Sequence, residues 1–167
     1  MKEIQGDIWQ SKADYICITT NGIVKKDGCL VMGAGIAKEA ADRFPELSFD
    51  LGDLVSIGGN HVYATNYFYG IEFGKVYSGK YCIPIPEDTL DNGRILSFPT
   101  KHHFKAKSDL KLIKQSCTEL RRVVGTFGSK TIAIPRPGCG CGGLDWKDVK
   151  PVLEQYFPED NFWIYSK

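Results

Sequence analysis

Two glycine-rich runs stand where backbone amides can hold a phosphate. Gly28-Cys29-Leu30-Val31-Met32-Gly33-Ala34-Gly35-Ile36-Ala37 passes directly into a helical pattern. Pro137-Gly138-Cys139-Gly140-Cys141-Gly142-Gly143-Leu144-Asp145 follows an apolar strand-like run and precedes another helix. Glycines just before a helix start let the backbone approach a ligand and aim free N–H groups at it, and a helix N-terminus favours negative charge. The first run is not a nucleoside-triphosphate P-loop, because no Gly-Lys-Ser or Gly-Lys-Thr closes it. It is not a dinucleotide fingerprint either, because the third glycine of that motif is missing. In the second run, glycines at 138, 140, 142 and 143 would be costly in a plain connector, since each adds unfolded-state entropy. Two such loops at the carboxyl ends of strands in one sheet can grip both sides of a diphosphate.

The elements that must position these loops read as alternating strands and helices. Tyr15 to Thr19 is a β-branched run stopped by Asn21-Gly22. Ile36, Ala37, Ala40, Ala41 and Phe44 recur at helical spacing, with Pro45 as the stop. His61 to Phe68 and Tyr81 to Ile85 read as strands, the second near an edge beside Pro84 and Pro86. Arg94 to Phe98 reads as a strand closed by Pro99, and Thr131 to Ile134 as a central strand. Leu110, Ile113, Cys117, Leu120 and Val124 make one face of a helix capped by Ser108 or Asp109. Val149 to Tyr156 is a helix and Phe162 to Tyr165 a final strand, while residues 58–93 carry an irregular insertion without a strong helix. The fold class is α/β, with helices covering a mostly parallel sheet in one domain over residues 1–167.

Composition excludes several classes of function. The 167 residues carry 21 Lys and Arg against 20 Asp and Glu, a net charge of +1. That balance gives no bulk electrostatic footprint for nucleic acid or acidic membranes. No apolar run approaches a membrane span and no signal-peptide pattern opens the chain, so a cytoplasmic protein without membrane association is expected. The six cysteines contain no CxxC pair, and only Cys139-Gly-Cys141 approaches zinc-ligand spacing, so reduced thiols and no metal are expected.

The chain resembles a macrodomain, the ADP-ribose-binding fold, over nearly its whole length. The resemblance implies a three-layer α/β/α architecture with a central mixed, mostly parallel sheet. Gly6-Asp7-Ile8 looks like the family's opening motif, so Asp7 and Ile8 fall at the adenine. Thr20 and Asn21 match the strand end that reaches the distal ribose. Met32, Gly33, Ala34, Gly35 and Ile36 match the first diphosphate loop, and Gly138, Cys139, Gly140, Cys141, Gly142, Gly143 and Leu144 match the second. An aromatic residue near the last strand often stacks on adenine in this family; Phe162, Trp163 and Tyr165 are the candidates. The resemblance implies ADP-ribose, or ADP-ribosylated DNA or protein, as partner, and no cofactor; a monomer is expected.

Within the family, Phe98-Pro99-Thr100-Lys101-His102-His103-Phe104 and Gly142-Gly143-Leu144-Asp145-Trp146 resemble segments of the branch that holds DNA ADP-ribosyl glycohydrolase antitoxins and terminal ADP-ribose protein glycohydrolases. That likeness assigns Lys101 as the nucleophile on the distal ribose and Asp145 as its assistant. An amine attacks only when neutral, and burial beside Phe98 and Pro99 would favour that form. A carboxylate can polarise a ribose hydroxyl and help open the ring, but it must not form a tight ion pair with the amine. Capping of the following helix by Asp145 would leave Pro151 beyond the first turn, whereas capping by Asp148 keeps it within, so Asp148 is the expected cap and Asp145 is left free. His102 and His103, being adjacent, face opposite ways in a strand and cannot share a metal. Lys101, Lys105 and Lys107 can approach a phosphate backbone locally. Arg136 departs from the apolar or small residues usual in the family and either alters the surroundings of the distal ribose or points to solvent. The alternatives to a hydrolase are a reader that binds ADP-ribose without turnover and an ADP-ribose 1″-phosphate phosphatase, for which Cys139, Cys141 and His102 are the nucleophiles on offer.

Overall fold

Alternation along the second strand sets the architecture. Ile16 and Ile18 pack into one hydrophobic cluster and Cys17 into another, as side chains on opposite faces of a strand must. A sheet apolar on both faces needs a helical layer on each. The computed structural model describes residues 1–65, 94–125 and 130–167. Its strands are β1 (Lys2–Gln5), β2 (Tyr15–Asn21), β3 (Ile95–Lys101), β4 (Ile132–Pro135) and β5 (Phe162–Ser166), and its helices are α1 (Gly35–Arg43), α2 (Leu47–Gly58), α3 (Leu110–Gly125) and α4 (Trp146–Tyr156). The sheet order is β1-β5-β4-β2-β3, with every pair of these strands parallel. An isolated antiparallel bridge, Ala64 to Leu96, adds the mixed character at the β3 edge.

One layer is α1 with α2: Ala37, Ala40, Leu47, Leu51 and Leu54 cover Ile16, Ile18, Ile95 and Ala133. The other is α3 with α4: Ile113, Cys117, Leu120, Val149 and Leu153 cover Cys17, Leu96, Phe98, Ile132 and Ile134. Each fully buried Leu, Ile or Phe contributes roughly 1.5–3 kcal/mol before entropy is counted. Asp14 fixes how β2 starts against β4. One carboxylate oxygen accepts from the Thr131 N–H at 2.8 Å and its hydroxyl at 2.7 Å, which aligns the carboxyl ends of the two strands. Those ends are where the chain divides, since β2 is followed by β3 on one side and β4 by β5 on the other. A crevice at such a reversal is the usual ligand position in an open α/β sheet.

Several expectations need correction. α2 was not legible: Leu47–Gly58 has no side-chain cap and interrupts itself with Gly52. β3 continues through Pro99 to Lys101 instead of stopping, which a proline tolerates at a sheet edge where its missing N–H is not needed. Of the strand expected from His61 to Phe68, residues 61–65 contain only the Ala64 bridge. Residues 66–68 and the strand expected from Tyr81 to Ile85 lie outside the described residues, as does most of the insertion. At the start of α3 it is Asp109 that caps, its carboxylate accepting from the Lys111 N–H at 2.8 Å.

Candidate functional site

The two glycine runs meet the ends of β2, β3 and β4. The first enters α1 at Gly35, and Ala34 at the N-cap offers no side-chain hydrogen bond to the helix amides. Gly33, Ala34 and Gly35 are exposed, Ile36 is half-buried, and Met32 is buried beneath them. Gly28 serves a different purpose from the phosphate loop to which its sequence position assigns it. It closes a turn with its N–H on the Lys25 carbonyl, at φ +87°, packed against Phe49 of α2. That conformation is one that a residue with a Cβ rarely adopts.

The second run leaves β4 and folds a short 3₁₀ turn, Gly140–Gly142. Cys139, Gly140, Cys141 and Gly143 lie at or near the surface, Leu144 is half-buried, and Gly138 and Gly142 are buried. Asp145 occupies the N-cap position of α4, so Asp148 does not cap the helix and Pro151 stands inside it. The Asp145 backbone carbonyl accepts from the Asp148 N–H at 3.0 Å, while its side chain makes no cap bond. The carboxylate is exposed and paired with Lys147 at 3.3 Å. The side chain is thus free of the helix, for a reason other than the one the sequence suggested.

Lys101 is aimed by a register slip. Thr20 pairs with Pro99 but Asn21 pairs with Lys101, which makes Thr100 an extra residue in β3. Bulges of this kind re-aim the side chains that follow them. The Asp109 N–H donates to the Thr100 carbonyl at 2.9 Å and Asn60 Nδ2 to the Lys101 carbonyl at 2.9 Å, so the backbone is held on both sides. Lys101 Nζ donates to the Cys141 carbonyl at 2.8 Å. This bond joins the end of β3 to the second glycine loop. The side chain is half-buried, not buried against Phe98, which turns wholly into the core. Among the described residues Lys101 makes no ion pair, and the nearest partner of Asp145 is another lysine.

The remaining candidate positions hold the frame as well as lining it. Asn21 Nδ2 donates to the Val31 carbonyl at 2.7 Å and its Oδ1 accepts from the Ile23 N–H at 3.0 Å, tying β2 to the first loop. Asp7 accepts from the Trp9 N–H at 3.0 Å through one oxygen, and Ile8 and Thr20 are buried. Of the aromatic candidates, Phe162 is buried against Phe157 and Tyr165 is buried with its hydroxyl at 3.0 Å from Ser11 Oγ. Trp163 is half-buried, its ring N–H on the Asp160 carbonyl. His102 lies beyond the strand, 3.3 Å from Asp109, while His103 stacks on Phe104. Burial pushes the Cys139 thiol up from its ordinary value, partly countered by Arg136. That leaves it mostly as thiol at neutral pH and a poor phosphatase nucleophile.

A network that sequence inspection missed lies behind the second loop. Arg136 neither points to solvent nor faces the crevice. Its guanidinium sits 4.7 Å from the Trp146 ring centre and 2.9 Å from Glu3. Trp146 Nε1 donates to the same Glu3 oxygen at 3.3 Å and Lys150 meets the other at 2.6 Å. Glu3 thereby fastens β1 to both flanks of the loop, across 133 residues to Arg136. A cleft of about 410 Å³ beside Met1, Glu3 and Lys150 borders this network and is lined by no residue of either glycine run. The hydrogen bond from Lys150 lowers the Glu3 carboxyl below its ordinary value, against partial burial and with help from Arg136 and Trp146. The stabilisation is therefore complete above about pH 4.3, the value in an unfolded chain, and is lost as pH falls through the lower folded value. Glu3→Gln should cost about 1 kcal/mol at most at pH 7. Urea unfolding should show that difference shrinking to nothing as the wild-type carboxyl becomes protonated; a difference that persists in acid would assign it to packing.

The fold and this crevice define an α/β/α macrodomain. No protein-family model matches the chain. The DNA ADP-ribosyl glycohydrolase of Mycobacterium tuberculosis is 31% identical over 154 residues, covering 91% of this chain and 39% of that protein. A DNA ADP-ribosyl transferase–DNA ADP-ribosyl glycohydrolase fusion protein of Thermosipho africanus is 28% identical, covering 92% and 38%. The chain thus spans about two-fifths of the curated relatives it matches. Among solved structures, the macrodomain of Mycobacterium tuberculosis DarG aligns with a TM-score of 0.71 and 29% identity, over 99% of this chain and 97% of that one. The macrodomain of Thermus aquaticus DarG aligns with a TM-score of 0.69 over the same shares, at 22% identity. The chain thus has the macrodomain fold, and over nearly its whole length it is similar to the macrodomains of the DarG type.

Proposed function

We propose that this chain binds ADP-ribose and releases it from an ADP-ribosylated macromolecule, with DNA as the favoured carrier. The observation that carries the reading is the Lys101 Nζ bond to the Cys141 carbonyl, which holds an amine against the second glycine loop with no carboxylate paired to it among the described residues. A neutral amine keeps its lone pair while donating one N–H to a carbonyl, whereas a carboxylate partner favours the ammonium. Backbone amides at the start of α1 and in the 138–143 turn hold the diphosphate, which places the distal ribose near Lys101. The amine attacks the anomeric carbon as the glycosidic bond breaks, and the leaving group departs with its electron pair and takes a proton. The ring oxygen then leaves the ribosyl-lysine adduct with a proton supplied through Asp145, giving an imine that water hydrolyses to free ADP-ribose and the amine. The DNA assignment rests on the names of the relatives. A panel of ADP-ribosylated single-stranded DNA, ADP-ribosylated acidic protein and free ADP-ribose 1″-phosphate, read by product mass, tests it. Release of ADP-ribose from the DNA is expected. Binding without any product would replace the enzyme by a reader.

A further inference from the structure

The geometry points to the 102–107 segment as a docking surface for single-stranded nucleic acid, an inference that rests on the proposed activity and says how its carrier is held. The segment begins directly after Lys101, and residues 102 to 107 are all exposed. It holds a stacked aromatic pair at the surface: the His103 and Phe104 rings lie 4.5 Å apart with 22° between their planes. Phe104 is 40% exposed, a large apolar side chain left in water. Lys105 Nζ sits 5.7 Å from the Phe104 ring centre. On the loop side, Lys107 packs its stem beside Gly143, where an added Cβ would meet Lys107 Cε at 3.4 Å. Within a chain of net charge +1, residues 101–111 hold Lys101, Lys105, Lys107 and Lys111 against Asp109 alone.

Flat rings interleaved with lysines are the combination that holds unpaired bases and their phosphates. A base stacks on the exposed ring pair, displacing the Lys105 ammonium from Phe104 to an adjoining phosphate, and Lys107 takes the phosphate nearer the second loop. Paired bases cannot present their faces in this way, so single strands are preferred over duplex. An acidic protein could satisfy the lysines but leaves the ring pair in water, so the rings decide for nucleic acid.

Two measurements test this. The first compares KM for an ADP-ribosylated single-stranded oligonucleotide with KM for the same ADP-ribosylated nucleoside. Phe104→Ala should raise the oligonucleotide KM about tenfold, the scale of one lost base stack, and leave the nucleoside KM and kcat unchanged. The second is anisotropy of unmodified oligonucleotide against salt, which needs no turnover. Lys105→Gln should flatten the log–log slope by roughly 0.7, as one lost phosphate contact on a single strand does. An unchanged oligonucleotide KM in Phe104→Ala, equal affinity for duplex, or a preference for an ADP-ribosylated acidic peptide overturns the docking surface while the activity stands. No release by wild type from either substrate overturns the activity, and the anisotropy still decides the surface. Circular dichroism melting checks that the variants fold, as exposed positions should.

Discussion

Lys101→Ala is expected to lower the rate of ADP-ribose release on the order of 10³-fold or more, the scale on which removing an acting nucleophile or base costs a reaction. ADP-ribose affinity should stay close to wild type, because the proposed site holds the diphosphate with backbone amides and the lysine itself bonds the Cys141 carbonyl. Removing that bond costs the loop little: the acceptor lies at an exposed residue, where water takes the place of the lysine N–H. Lys101→Arg separates attack from positioning. A guanidinium keeps the charge and can still reach the carbonyl, but it does not become a neutral amine in a protein. It should therefore be as inactive as alanine. Borohydride added during turnover should reduce the imine and leave ADP-ribose covalently attached to the peptide that contains Lys101. Full activity in Lys101→Ala, or an adduct on a different residue, would falsify the assignment.

Much of the candidate site was legible because its parts are local in sequence. A glycine run that opens a helix, or a lysine three residues after a buried phenylalanine, can be seen in a window of ten residues. What was not readable depends on distance. The bulge at Thr100 that sets Lys101 opposite Asn21 in the register needs two strands to be paired before it exists. Glu3 and Arg136 are far apart in the chain and meet only because β1 and β4 flank β5 in the sheet. Arg136 could be seen as a departure, but nothing nearby in sequence said that Trp146 and Glu3 would enclose it.

Other misreadings came from a correct rule applied to the wrong neighbour. Pro151 is a poor helix interior residue, so Asp148 was the expected cap. The helix nevertheless begins at Trp146, where the Asp145 carbonyl accepts from both Asp148 and Val149. Tertiary packing of Val149, Val152 and Leu153 into the core offsets the bond that Pro151 forgoes. Gly28 shows the opposite error. It is a turn glycine packed on α2, and α2 was the helix that periodicity did not reveal.

Gly142→Ala should damage stability and function together, because this glycine is needed for space rather than for flexibility. A Cβ there would lie 2.4 Å from Ser108 Oγ and 3.2 Å from Ser108 Cβ. Ser108 cannot simply retreat, since it is buried and its N–H donates to the Gly142 carbonyl at 2.9 Å. Overpacking of this sort costs about 1–3 kcal/mol. Part of that cost will be relieved by moving the 140–142 turn, which carries amides proposed to hold the diphosphate and the Cys141 carbonyl that holds Lys101. ADP-ribose affinity should fall roughly tenfold, and turnover by up to about 10²-fold, the penalty for misplacing a reacting group by an ångström. A second substitution can confirm the cause. Ser108 Oγ has no hydrogen-bond partner among the described residues, so Ser108→Ala alone should cost little. In the double variant it removes the 2.4 Å clash and leaves only the 3.2 Å contact, which a shift of a few tenths of an ångström relieves. Calorimetric affinity and urea midpoints should both recover toward wild type. A Gly142→Ala protein with undiminished stability and affinity, or a double variant no better than the single, would show that the contact with the start of α3 does not set the shape of this loop.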